Sequence, residues 1–335
     1  MLNIGVIGYG YWGPNIVRNF SSIEGSRVTS ICDRDKSIAK KLKSQHNGNG
    51  VKIYSDYHDI VQSTDVDAVA IVTPVSTHYE LAKEALMNGK HVFVEKPFTA
   101  TAAQAAKLID LADKKNLKIM VDHTFLFTGA VTKIKEIVQE GHLGEVYYYD
   151  STRVNLGLFQ HDTNVIYDLA PHDFSVMDYI IDENPVAVTA SGRSHINGFE
   201  DIAYITVTFN STTIAHFNVN WLSPVKVRST LIGGEKKMLV WNDVNPDEKV
   251  KIYDKGVEVM NREGIYDLLV SYRSGDMWAP KVEQKEALRL EAEYFVHCIE
   301  HDEQPINDGH AGMRVVRLLE ACNESMSKDG AMVKL

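Results

Sequence analysis

Three stretches of this 335-residue chain carry residue types and spacings suited to chemistry. Lys96 lies in Val94-Glu95-Lys96-Pro97-Phe98, where the proline fixes its own φ and biases the lysine towards an extended conformation. A lysine so held can hydrogen-bond a substrate hydroxyl and stabilise a developing alkoxide. The second stretch is Asp168-Leu169-Ala170-Pro171-His172-Asp173. On a continuous helix Asp168 and His172 share one face at i, i+4, but Pro171 favours a first turn, so a helix starting there is the open alternative. A histidine paired with a carboxylate is the usual general base for taking a hydroxyl proton. The third is Gly8-Tyr9-Gly10-Tyr11-Trp12-Gly13, followed twenty residues later by Asp33. Gly8 suits a tight turn, Gly10 a close approach of backbone to pyrophosphate, and Gly13 close packing of helix on strand, with Asp33 placed for ribose hydroxyls.

The elements that position these residues alternate. Asn3 to Ile7 reads as a buried strand before the glycine turn, and Pro14 to Phe20 as the helix after it, its N-terminus facing the phosphates. Further strands are expected at Arg27–Ile31, Val51–Tyr54, Ala68–Val72, His91–Val94 and Lys118–Val121, with helices at 36–44, 57–62, 77–88 and 101–114. Ser76-Thr77 suits a helix start and Gly89 a helix stop. Strand and helix in alternation imply a parallel sheet with right-handed crossovers, whose ligands sit at the carboxyl ends of the strands. From Glu145 the texture changes to strands largely without intervening helices, at 146–149, 187–191, 203–209, 213–221, 227–232 and 237–241, which reads as an antiparallel sheet. Helical stretches at about 164–181 and at 285–300 flank that sheet, and a last helix covers 311–327. The expected organisation is an α/β chain with a dinucleotide-binding domain over 1–122, a second α/β domain over 123–335, and a site in the cleft between them.

Composition narrows the functional class. A net charge of −10 argues against nucleic-acid binding, which relies on basic surface. No apolar run approaches the length that spans a bilayer, and Met1-Leu2-Asn3 has no basic n-region of a signal peptide. Cys32, Cys298 and Cys322 are odd in number and far apart, which disfavours a disulfide framework and a zinc cluster; no metal and a cytoplasmic location are expected.

In their order and spacing, Gly8 to Gly13, Glu95-Lys96-Pro97 and Asp168-x-x-x-His172 resemble the Gfo/Idh/MocA oxidoreductases, as does the junction Gly141-His142-Leu143-Gly144-Glu145. The resemblance spans essentially the whole chain. It implies a Rossmann domain, a second α/β domain with a large, mostly antiparallel open sheet, NAD or NADP, and hydride exchange with a sugar or polyol carbon. Lys96 and His172 would handle protons, and Asp168 would orient or bind the substrate. The cofactor would meet Gly8, Tyr9, Gly10, Tyr11, Trp12 and Gly13, Asp33 and Arg34, Thr73, Pro74 and His78, and Glu95 and Lys96. Asp33 favours NAD because it would repel a 2′-phosphate, whereas Arg34 could accommodate one. Two departures stand out: Asp122-His123 replaces an asparagine-arginine pair of many members, and Ala170 replaces a glycine.

The stretches 155–159, 168–173 and 272–276 look like those of members acting on nucleotide-linked sugars in surface-polysaccharide synthesis, at the sugar 3-hydroxyl or 3-keto position. Arg153, Asn155, Lys226, Arg228 and Arg273 are then the candidate substrate contacts, the cations for a UDP or dTDP diphosphate. Alternatives are a dehydrogenase of free sugar or inositol and, from another class, a non-catalytic dinucleotide-binding sensor. In such a family the sheet stacks on that of another subunit. Tyr204, Phe209, Phe217 and Trp221 would form the apolar face of a homodimer or homotetramer.

Overall fold

Ala68-Val69-Ala70-Ile71 is β-branched or small throughout, and none of the four residues has measurable exposure, as a strand covered on both faces requires. It is the fourth strand of a parallel sheet in the computed structural model, which describes residues 1–45, 50–157, 159, 160, 163–259 and 270–335. The elements in order are β1 (Leu2–Ile7), α1 (Gly13–Ser22), β2 (Ser26–Cys32), α2 (Lys36–Gln45), β3 (Lys52–Tyr54), α3 (His58–Val61), β4 (Ala68–Ile71), α4 (Val75–Met87), β5 (His91–Glu95), α5 (Ala102–Lys115) and β6 (Ile119–Asp122), followed by a 3₁₀ turn, Thr124–Phe127. The strand order is β3-β2-β1-β4-β5-β6, with every neighbour parallel. The order reverses between β1 and β4, so the crevice outside their carboxyl ends is the ligand position. Helix α4 starts at Val75 rather than at Ser76-Thr77: Pro74 occupies the cap position, and the Thr77 hydroxyl donates back to the Pro74 carbonyl at 2.8 Å. Gly89, at φ 75°, ends it as expected.

The second sheet is built from β7 (Val146–Leu156), β8 (Pro185–Arg193), β9 (Ile202–Phe209), β10 (Ile214–Asn220), β11 (Leu222–Gly234), β12 (Met238–Asn242), β13 (Val250–Val259), β14 (Val270–Trp278) and β15 (Val333–Lys334), with α6 (Gly129–Gln139) before it and α7 (Val165–Ile180) after β7. Its order is β14-β13-β12-β11-β7-β10-β9-β8-β15, and within it β7 and β10 run parallel. Strands β13 and β14 were not expected, since Asp254-Lys255-Gly256 and Ser274-Gly275-Asp276 are poor strand formers. Alternation decides which aromatic residues the sheet hides. Phe209, Phe217 and Trp221 point inwards and are buried, with Phe174 of α7 edge-on to Phe217 at 4.9 Å, while Tyr204 points to the other face and is half exposed. The four therefore do not form one open face.

By contacts the chain forms two units, Met1–Phe127 with Lys285–Arg317, and Thr128–Gln284 with Leu318–Leu335. Helix α8 (Ala287–Glu300) thus belongs with the parallel sheet and not, as its place in the sequence suggests, beside the second one. Leu288, Ala292, Phe295 and Val296 share one helical face and pack on Phe20 and Phe93, with Phe295 5.6 Å from Phe93. Helical periodicity identifies the apolar face but not its partner. A last helix, α9 (Gly309–Ser327), divides between the units at Arg317. Among the described residues no helix is long and apolar enough to cross a membrane.

Candidate active site

In the first unit, the turn after β1 depends on two glycines for different reasons. Gly8 has φ 98°, and a Cβ there would lie 2.3 Å from the Val72 carbonyl oxygen, so no other residue fits the close pass of β1 by β4. A Cβ on Gly13 would reach the Gly8 carbonyl at 2.7 Å. Gly10 differs, because a Cβ there would meet nothing within 4 Å. That open side is where a bulky ligand can reach the backbone.

Asp33, just beyond β2, ties the turn down. Its Oδ2 accepts from the Tyr9 N–H at 2.8 Å and its Oδ1 from the Asp35 N–H at 2.8 Å. A cavity of about 320 Å³ opens beside it, lined by Gly8, Gly10, Asp33, Arg34, Tyr57, Thr73, Pro74 and neighbours. An open glycine turn leading into the N-terminus of α1, with a carboxylate at the end of β2, fits a dinucleotide. Tyr11 is exposed, and Trp12 turns back so that its indole Nε1 donates to Asp122 Oδ2 at 3.2 Å.

His78 does not line the cavity. It is fully buried, with Nε2 2.7 Å from the Thr73 carbonyl and Nδ1 2.9 Å from the Pro97 carbonyl. Burial pushes its pKa down against the pull of those carbonyls, so the neutral ring has one N–H to donate between them. Its part is to fix the loops after β4 and β5, the latter carrying Lys96. Glu95 pairs in register with Asp122 at the ends of β5 and β6. Burial first, and then the charge of Asp122, raise the Glu95 pKa well above the usual carboxylate range.

His123, which stands where the resembled family often has a polar pair, is buried, and neither ring nitrogen has a hydrogen-bond partner. Burial, followed by the charges of Arg314 and Lys96, holds its pKa down at about 3, so the ring is neutral.

In the second unit, α7 runs unbroken through Pro171, which settles the open question about its start. Pro171 has no N–H for the Tyr167 carbonyl, and packing of the buried face offsets that loss. Asn164 caps the helix by accepting from the Tyr167 N–H at 3.1 Å. Asp168 and His172 accordingly lie one turn apart on one face. The buried Trp221 donates its indole N–H to Asp168 Oδ2 at 3.1 Å and fixes the carboxylate; the sequence reading missed this role.

The candidate substrate contacts have varied surroundings. Arg153 is buried in a two-pronged pair with Asp173, Nε–Oδ2 2.6 Å and Nη2–Oδ1 3.1 Å, to which Ser151 adds a hydrogen bond. Arg228 faces Asp243 at 3.4 Å, and Arg273 pairs with Asp254 at 3.0 Å and also donates to the Lys236 carbonyl. Lys226 is exposed on β11, and Asn155 is half-buried near the end of β7. Of the stretch 155–159, Leu158 lies outside the described residues.

Comparison with known proteins adds the following. The model of an oxidoreductase family with an NAD-binding Rossmann fold, GFO_IDH_MocA, matches residues 2–123, and that of a GFO/IDH/MocA C-terminal domain matches 131–240. The chain is 26% identical to a UDP-N-acetylglucosamine 3-dehydrogenase of Acidithiobacillus ferrooxidans over 94% of each chain. It is 23% identical to a scyllo-inositol 2-dehydrogenase (NAD(+)) of Bacillus subtilis, over 91% of this chain and 87% of the other. The solved structure of UDP-N-acetylglucosamine 3-dehydrogenase GnnA from A. ferrooxidans superposes with a TM-score of 0.79 at 24% identity, covering 97% of this chain and 99% of that one.

Proposed function

The chain belongs to the Gfo/Idh/MocA family of NAD-dependent oxidoreductases, and from that premise we propose that it oxidises the 3-hydroxyl, or reduces the 3-keto group, of a nucleotide-linked sugar. The observation that carries the reading is the pair on α7, where His172 follows by one turn an Asp168 already fixed by Trp221. Bound NAD supplies the hydride acceptor. On this reading His172 takes the hydroxyl proton, Lys96 stabilises the oxygen as charge develops on it, and Asp168 orients the sugar. The match to a UDP-sugar 3-dehydrogenase along nearly its whole length supports the substrate class. The same reading takes the protein as a cytoplasmic homodimer or homotetramer in surface-polysaccharide biosynthesis, with Asn155, Lys226 and the arginines towards the nucleotide.

A second reading, a dehydrogenase of free sugar or inositol, draws on the charge pairs. Arg153, Arg228 and Arg273 each face a carboxylate, so a diphosphate would have to compete with Asp173, Asp243 and Asp254. The inositol dehydrogenase relative points the same way.

The experiment is to follow NADH formation with UDP-linked and dTDP-linked hexoses, free glucose and scyllo-inositol in parallel, with 3-keto reduction in the reverse direction. Turnover of nucleotide sugars alone supports the first reading, and turnover of free polyols alone replaces it. NAD binding without turnover in either direction would leave a dinucleotide-binding sensor.

A further inference from the structure

Three carboxyl groups meet in the first unit beneath the glycine turn. Glu95 and Asp122 end neighbouring strands, and Glu291 reaches them from α8. Asp122 is 1% exposed and Glu291 has no measurable exposure. Both Glu95 and Glu291 come within hydrogen-bonding reach of Asp122. Three full negative charges so close together would repel one another strongly, two of them being buried. The charge of Lys96 offsets part of that repulsion at Glu95, and protons can limit the rest.

The hydrogen-bond pattern says where one proton sits. Glu291 Oε1 accepts from Asn307 Nδ2 at 2.8 Å, and Asn307 is held in turn by the Val121 carbonyl at 2.7 Å. Glu291 Oε2 is buried and makes no well-formed hydrogen bond. On Asp122, Oδ2 accepts from Trp12 Nε1 and Oδ1 from the Thr124 hydroxyl, which also lies close to Glu291. An acid oxygen without a donor beside a carboxylate that only accepts is the arrangement of a donor and its acceptor.

We propose that Glu291 is a neutral carboxylic acid that donates its proton to Asp122. Through Asp122 and the Trp12 indole, it is a positioning residue for the turn that receives NAD. The cation that bears on the cluster is Lys96, after β5, whose charge acts on Glu95; burial, and then Asp122, favour the protonated form of Glu291 against the opposing Thr124 hydroxyl. The chain of contacts links α8, through Asp122, to Trp12 near the end of Gly8–Gly13.

The test compares Glu291→Gln with Glu291→Ala in the full-length protein, by NAD dissociation constant and by infrared absorption of protonated carboxyl groups at pH 7. A glutamine can donate to Asp122 and accept from Asn307, as the neutral acid does, so E291Q should bind NAD within about twofold of wild type. E291A, with circular dichroism unchanged, should bind about tenfold more weakly, as loss of a buried hydrogen bond to a charged group implies. The wild-type carboxylic-acid band should shrink in E291Q. An undiminished band, or E291Q binding as weakly as E291A, would overturn the proposal. The infrared comparison needs only E291Q, so it decides even where E291A does not fold.

Discussion

His123 shows what a single residue can hide at the end of a strand. Its folded-state pKa of about 3 lies below the ordinary histidine value of about 6.5, because the buried ring cannot take up charge beside Arg314 and Lys96. The unfolded chain binds the proton that the folded one refuses, so this stability is complete above about pH 6.5 and is lost as pH falls towards 3. At pH 5 the loss amounts to about 2 kcal/mol. In His123→Phe, the drop in urea-measured stability between pH 7 and pH 5 should be about 2 kcal/mol smaller than in wild type; parallel curves would show that the ring is not held neutral. Lys96 and His172 make a different prediction at the same scale. If they handle the protons, Lys96→Ala and His172→Asn should each lower kcat by about 10²- to 10⁴-fold, His172→Asn with the NAD dissociation constant nearly unchanged. Near-wild-type turnover in both would remove them from the mechanism.

At the scale of elements, the glycine turn separates folding from ligand binding within three residues. A Cβ on Gly8 collides with the Val72 carbonyl and is strained at φ 98°, whereas one on Gly10 enters open space. Gly8→Ala should therefore lower the melting temperature, by a cost of at least about 1 kcal/mol for the backbone alone, and weaken NAD binding with it. Gly10→Ala should melt as wild type does and still lose NAD affinity, because its methyl group occupies the side a ligand approaches; equal affinity would mean the cofactor does not approach there. This turn was legible in the sequence because strand, glycines, helix and acid are local and evenly spaced. Helix α7 was legible only in part, since Pro171 allowed two starts until Asn164 was seen to cap the helix. The Trp12–Asp122–Glu291 connection could not be read at all. Its members are 110 and 169 residues apart, and Glu291 sits on a helix whose amphipathic pattern does not say which sheet it covers.

For the molecule as a whole, the second sheet leaves a face that α7 does not cover, and pairing register identifies it. Tyr204, Ile214, Leu231 and Met277 fall on that outward side, each at least 38% exposed. The sequence predicts an apolar face, but of its residues Phe209, Phe217 and Trp221 lie on the inward side, because aromatic composition identifies an apolar sheet without fixing the side to which each ring points. Strands about 4.8 Å apart make the nine-stranded sheet about 40 Å wide, and a seven-residue strand such as β10 spans about 24 Å. The face thus offers about 900 Å², near the 800 Å² or so per partner of a standard interface. If two copies stack here, wild type should sediment as a dimer or larger, and Ile214→Lys with Leu231→Asp should shift it to the protomer with circular dichroism unchanged. A wild-type chain that sediments as a monomer, or a double variant that stays assembled, would exclude this face. The same variant separates assembly from chemistry: Ile214 and Leu231 lie outside the proposed catalytic set, so a protomer that still reduces NAD would place the whole reaction within one chain.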